Sequence, residues 1–385
     1  MKNHKSGQRG ARSLTVRIAA SSAAGTALAL LASCGGSTIY PPSNTGVAPV
    51  PKSVQTAQGG GSISVFAKAP GTLKPDDLVQ VGAAVFVVYQ DPNDNPDGTI
   101  VSGTTPQSVV VEYDLNGNVL QTFNVPGHPD GIVALNSTTV WVSSNEDGNP
   151  LITVINTTSN ALKTLTADVA AQPHGGGFDD MKLVNGVVYS TGSNPTLVAP
   201  AAGTVYSTDA NGATTLNGGV NTAPMLYALS ANADGTTFHA AAVVTAANTA
   251  TTEGGNTLTL NMTDPDSMAL GPNGTLVIDS QGDSELVFVS SLGTSNQSAT
   301  VLLVSSLGNP VQLDDIRWAP ASSSFMLLTD GSAQLVYKIT PINSFNPDTV
   351  YAAANGMLMV LDPNTGVLTP LYTGMKSPKG ILFVS

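Results

Sequence analysis

Five aspartates stand at the head of short apolar runs along this chain: Asp77, Asp130, Asp180, Asp266 and Asp315. Their carboxylates are the oxygen ligands that a hard divalent cation such as Ca²⁺ takes, and several of them in one place require a cation or protons. Two histidines lie close by in sequence, His128 ahead of Asp130 and His174 ahead of Asp179 and Asp180. An imidazole there adds a further metal ligand or a base. Arg317, beside Asp314 and Asp315, suits an anionic ligand and equally suits a structural ion pair. With Asp179, these three residues complete the candidate ligand-binding set. Aspartate before a strand is also a common turn and capping residue, so both roles stand open at this level.

Such residues act together only if the fold brings them together. From about residue 61 onward one pattern recurs: a Pro or Asp pair, an apolar strand, a polar turn, a second strand and a further hairpin. The clearest copy runs through His128-Pro129-Asp130-Gly131-Ile132-Val133, Thr139-Val140-Trp141-Val142 and Leu151-Ile152-Thr153-Val154, and ends at Ala161-Leu162-Lys163-Thr164-Leu165. Apolar and polar residues alternate at period two, with Asn, Gly, Asp and Ser at the breaks, which is the hairpin signal. Related openings occur at Asp76, Asp179, Pro224, Pro265, Leu313 and Pro378. A period of about 40 to 65 residues is that of four-stranded propeller blades. The expected fold is therefore all-β, a β-propeller of four-stranded blades over 61–385. Counting openings gives seven blades, with six as the alternative. An opening at Pro378, so near the carboxy terminus, predicts ring closure by strands from both chain ends. In such a ring the first strand of every blade lines the central channel, and the five aspartates gather at one mouth.

The Pro-x-Gly starts, Pro129-Asp130-Gly131 and Pro378-Lys379-Gly380, resemble those of the NHL-repeat and SMP-30/gluconolactonase-like propellers. The gluconolactonase resemblance implies a channel metal held by Glu, Asn and Asp. The glutamates after position 100 are Glu112, Glu146, Glu253 and Glu285. The streptogramin lyase group is similar in architecture. The segment His174-Gly175-Gly176-Gly177 resembles the oxyanion loop of lipases, but no G-x-S-x-G nucleophile elbow accompanies it, so a hydrolase of that type is excluded. Its glycines suit a tight turn into a strand. Asp91-Pro92-Asn93-Asp94-Asn95-Pro96-Asp97-Gly98 imitates the start of a calcium loop, yet Pro96 and Ser102 depart from it and a hairpin turn is expected.

At the amino terminus Lys2, Lys5, Arg9, Arg12 and Arg17 precede an apolar run from Ile18 to Ala32 that closes in Leu31-Ala32-Ser33-Cys34. This resembles a bacterial lipoprotein signal, which implies removal of 1–33 and acylation of Cys34. Acyl chains on Cys34 would attach the protein to a membrane. Gly35, where that family uses Asp for inner-membrane retention, implies the outer membrane. Residues 34–60, rich in Gly, Ser, Thr and Pro, read as a flexible tether. Cys34 is the one cysteine, so no intramolecular disulfide is possible. Of the 14 Lys and Arg residues five precede Cys34, which leaves nine basic groups against 26 acidic ones, with Arg317 the one arginine of that part. That balance excludes a nucleic-acid partner. Two function classes follow. One is an anchored binding or scaffold propeller that holds a protein, peptide or glycan ligand at the cell envelope. The other is a metal-dependent enzyme of lactonase or lyase type working in the channel.

Overall fold

The computed structural model describes residues 48–56, 60–168, 177–193, 206–208, 214–216, 223–246, 248–252, 254–260, 262 and 264–385. Cys34 and His174 lie outside the described residues. The chain is a β-propeller, and the described strands build six four-stranded blades. Blade 1 runs outward as Lys74–Val81, Ala84–Gln90, Val109–Asp114 and Val119–Asn124. Blade 2 follows as Pro129–Asn136, Thr139–Ser144, Leu151–Asn156 and Ala161–Ala167. Blade 3 is Phe178–Val184, Val187–Gly192, Pro224–Ala231 and Thr237–Thr245. Blade 4 is Pro265–Leu270, Leu276–Ser280, Glu285–Ser290 and Ser298–Leu303.

The last two blades interleave. Asp315–Trp318 is the inner strand of blade 5, but the chain then leaves to lay down Phe325–Asp330 and Leu335–Thr340 in blade 6. It returns to finish blade 5 with Val350–Ala354, Met357–Leu361 and Leu368–Thr373. Blade 6 receives its inner strand, Pro378–Val384, from the carboxy terminus and its outer strand, Ser62–Lys68, from the other end of the body. The ring is thus closed from both chain ends, as expected.

The count of seven blades is corrected to six. Pro224–Ala231 has the sequence of an inner strand, but it pairs on one side with Val187–Gly192 and on the other with Thr237–Thr245. It is the third strand of blade 3. Apolar packing agrees, because six buried clusters fill the six gaps between adjacent blades. Phe86, Val110, Ile132 and Val142 lie between blades 1 and 2, for example, and Val277, Leu286, Ile316 and Ala352 between blades 4 and 5. Trp141 fills the gap between blades 2 and 3, and Trp318 meets Phe288 edge-on across blades 4 and 5. Ala48, Val50 and Val54, within the stretch read as tether, pack against the cluster of blades 5 and 6, and Gln55–Thr56 pairs with the outer strand of blade 5. No helix among the described residues is long and apolar enough to cross a membrane.

Adjacent inner strands approach closely at two glycines. A Cβ on Gly131 would lie 2.5 Å from the carbonyl oxygen of Asp179, and one on Gly380 would lie 2.7 Å from that of Asp76. These blade contacts therefore require a residue without a side chain. Gly380→Val is expected to cost about 2 kcal/mol through forced separation of blades 6 and 1, measured as a lowered denaturation midpoint.

Candidate functional site

Two successive positions recur near the start of every inner strand. The first holds Asp76, Asp130, Asp179, Asp266, Asp314 and Lys379 in blades 1 to 6, and the second holds Asp77, Gly131, Asp180, Ser267, Asp315 and Gly380. Because the six strands neighbour one another in a ring, these residues form two stacked tiers at one mouth of the channel. All twelve line a single cavity of about 200 Å³, together with Glu146, Ser193, Asp264, Gln281 and Arg317. The five aspartates singled out from the sequence, with Asp179 and Arg317, are all brought together here.

The lower tier is structural. Asp77, Asp180 and Asp315 sit on alternate blades, and each spends one oxygen on the backbone N–H of the next residue: Leu78 at 2.8 Å, Met181 at 2.6 Å and Ile316 at 2.7 Å. The other oxygen accepts from the backbone of the following blade, Ile132 at 3.2 Å, Met268 at 2.7 Å and Ile381 at 2.7 Å. Three carboxylates thus clamp blades 1 to 2, 3 to 4 and 5 to 6. Lys182 pairs with Asp180 at 2.6 Å, and Arg317 pairs with Asp315 and reaches Asp77 at 3.7 Å. Arg317 also donates to the carbonyl of Met268. Of the two roles the sequence left open for these aspartates, capping accounts for both oxygens of all three. Burial still raises the carboxyl of Asp77 to about 6, with Lys182 and Arg317 opposing, and that of Asp315 to about 8 against Arg317.

The upper tier is a hydrogen-bonded ring of acids. The Gln90 amide donates to Asp76 at 2.9 Å and to Asp130 at 2.7 Å, while that of Gln281 donates to Asp266 at 2.9 Å and to the carbonyl of Leu313. Asp179 hydrogen-bonds to both Glu146 and Asp266, contacts that carboxyl groups make only by sharing a proton. Burial first, then Asp266 and Glu146, holds Asp179 well above the usual carboxylate range. Burial lifts Glu146 to about 7. Asp130 and Asp266 are pushed well up by burial, then by Glu146 and by Asp314 respectively. Lys379 closes the ring at 2.5 Å from Asp76; its burial opposes the charge, but Asp76 and Asp314 keep its pKa above the ordinary range.

Beside this ring the ligand atoms of His128, Asp130 and Glu146 lie within 4.8 Å of one another. The imidazole Nδ1 is 2.8 Å from the carbonyl oxygen of Asp94, and Nε2 is 3.7 Å from Asp130 Oδ1. Burial pushes the His128 pKa down, towards the neutral ring. The Glu, Asn and Asp donor set implied by the gluconolactonase resemblance does not fit as such. Glu146 is the one glutamate on the described cavity wall, and no asparagine lines it. A histidine takes that place beside the wall.

Sequence reasoning missed Glu146, Asp76, Asp264, Asp314, Gln90, Gln281 and Lys379. Register held the signal for Lys379, which occupies in Pro378-Lys379-Gly380 the place of Asp130 in Pro129-Asp130-Gly131. It also held the signal for Asp76 and Asp314, each one residue ahead of a candidate.

No protein-family model matches this chain, and no curated protein matches it. Solved structures similar in fold include a putative gluconolactonase, 13% identical over 84% of this chain and 86% of that one, with a TM-score of 0.45. A streptogramin B lyase is 11% identical over 80% and 96%, with a TM-score of 0.40. Virginiamycin B lyase from Staphylococcus aureus is 11% identical over 73% and 99%, with a TM-score of 0.32. At such identities the likeness concerns the fold alone.

Proposed function

We propose that the protein is a lipid-anchored binding module of the cell envelope whose channel mouth receives a basic side chain of a protein or peptide partner. The observation that carries this reading is the charge of one cavity: among the described residues ten carboxyl groups line it against two basic groups, Arg317 and Lys379. A lysine or arginine entering that space supplies the countercharge that protons otherwise supply, and a lined concavity focuses the attraction. Binding of a fluorescent Lys-rich peptide is expected to weaken with rising salt and to weaken at least tenfold in Asp266→Asn. Equal binding of a Glu-rich peptide would remove the proposal.

Anchoring through Cys34, with the outer membrane as destination, belongs to the same reading and rests on the lipobox-like sequence. Cys34→Ser is expected to move the protein from the membrane fraction to the soluble fraction of cells and to abolish incorporation of a fatty-acid label. The second reading, a metal-dependent enzyme of lactonase or lyase type, is favoured by the His128, Asp130 and Glu146 cluster. Metal-stimulated turnover of a lactone that is lost in Glu146→Gln would establish it.

A further inference from the structure

We infer that His128, Asp130 and Glu146 form a site for a divalent transition-metal ion, Zn²⁺ or Mn²⁺, in preference to Ca²⁺. Asp130 and Glu146 belong to the same mouth, but the inference rests on their arrangement with His128 and not on the charge of the whole mouth, so it can fail without the peptide reading failing; it bears on the metal-dependent second reading. Three features carry it.

Asp130 is 4% exposed and lines the cavity, and its Oδ2 is buried without a hydrogen-bond partner while its Oδ1 is held by Gln90. A buried acceptor left without a donor costs free energy unless a ligand takes it up. The second feature is the orientation of the imidazole. With Nδ1 2.8 Å from the carbonyl of Asp94, that nitrogen carries the proton, and the lone pair of Nε2 is turned towards Asp130. A backbone carbonyl on the far nitrogen is the usual support of a metal-bound histidine, because it fixes both tautomer and ring plane. The third is the placement of Glu146. The turn after the second strand of blade 2 has Asn145 at φ 69°, and the Asn145 side chain accepts from the backbone N–H of His128 at 2.8 Å. One residue therefore ties the histidine and the glutamate to a common frame.

The donor set decides the class of ion. One imidazole with two carboxylates is softer than the all-oxygen shells of Ca²⁺ and Mg²⁺, and three protein ligands leave positions open for water or a ligand. The clamping aspartates of the lower tier have both oxygens engaged and take no part.

Titration of the purified, chelator-treated protein with Zn²⁺, Mn²⁺ and Ca²⁺ separately, followed by calorimetry, tests the inference. One Zn²⁺ or Mn²⁺ per chain is expected, with Ca²⁺ at least tenfold weaker. His128→Ala and Glu146→Gln are each expected to weaken binding about 100-fold, and the d–d absorption of the Co²⁺-loaded protein should change in His128→Ala. Metal-free melting certifies that each variant is folded, and Glu146→Gln decides alone if His128→Ala does not fold. No stoichiometric binding, Ca²⁺ binding as tight as Zn²⁺, or unchanged affinity in a folded variant would overturn the site. Peptide binding retained alongside any of these results would leave the proposed function standing.

Discussion

Asp180→Ala is expected to lower the unfolding free energy by about 3 to 5 kcal/mol, the cost of breaking a buried ion pair from one side. Asp180 is 4% exposed and accepts four hydrogen bonds. Its Oδ1 takes the backbone N–H of Met181 and the Lys182 ammonium, and its Oδ2 takes the backbone N–H of Met268 and the same ammonium. Alanine leaves two fully buried residues, Met181 and Met268, with an N–H lacking this acceptor and leaves Lys182 without its carboxylate. The ties also have long reach, because Met268 belongs to the next blade and lies 88 positions along the chain. Asp180→Asn keeps a carbonyl oxygen for one backbone donor but not the charge, so about half of the loss should return. Chemical denaturation measures both variants. A loss in Asp180→Ala below about 1 kcal/mol would show that the carboxylate does not clamp blades 3 and 4.

Much of this arrangement is legible in the sequence because the propeller imposes a local repeat. An Asp or Pro pair ahead of an apolar run marks where a strand enters the channel, and five such aspartates do share one cavity. Pro224-Met225-Leu226 carries the same signature for another reason. A strand flanked on both sides within a blade is buried on both faces, as an inner strand is, and periodicity does not separate the two. Blade 6 is legible only in part: its hairpin of 325–330 and 335–340 is local and the Pro378 opening points to closure from both ends, but the pairing of 62–68 with 335–340 spans most of the chain and leaves no local trace beyond strand propensity. Glu146 was missed because its position depends on the left-handed turn at Asn145, a feature of loop geometry. The protonation of the acids was invisible for a similar reason: burial and the nearness of Asp179 to Glu146 and Asp266 exist only in the ring.

Stability is expected to fall as pH rises from 5 to 8, and Asp279→Asn is expected to flatten that fall. Asp279 lies in the second strand of blade 4, fully buried, with neither carboxylate oxygen hydrogen-bonded, and it faces Asp314, Asp315 and Asp264. Burial, then these three neighbours, holds its carboxyl well above the ordinary value. Asp314 is raised to about 6 by burial, with Lys379 opposing and Asp76 and Asp77 adding to it, and Asp315 to about 8. The sign follows from proton counting. Below the unfolded value of 3.8 each group is protonated in both states and the full stability is present. As pH rises, the unfolded chain releases the proton first, so stability declines until the folded group titrates as well. For a carboxyl raised from 3.8 to about 6 the loss is roughly 3 kcal/mol at most, since one pKa unit corresponds to about 1.4 kcal/mol. Acids with lowered values, such as Asp234 at about 2 and Asp362, gain stability with pH, but that gain is complete soon after 3.8 and leaves the window above pH 5 to the raised groups. His128, pushed down by burial, runs the other way near its ordinary value of 6.5 and offsets part of the decline. Asp279→Asn removes one raised carboxyl without changing side-chain volume, so the variant should be more stable than the parent at pH 8 and little different at pH 4. Thermal melting across that range in chelator checks both. A variant that follows the parent at every pH would mean that the Asp279 carboxyl is not held above its ordinary value in the folded protein, and a parent midpoint that rises from pH 5 to pH 8 would mean that raised carboxyls do not govern this window.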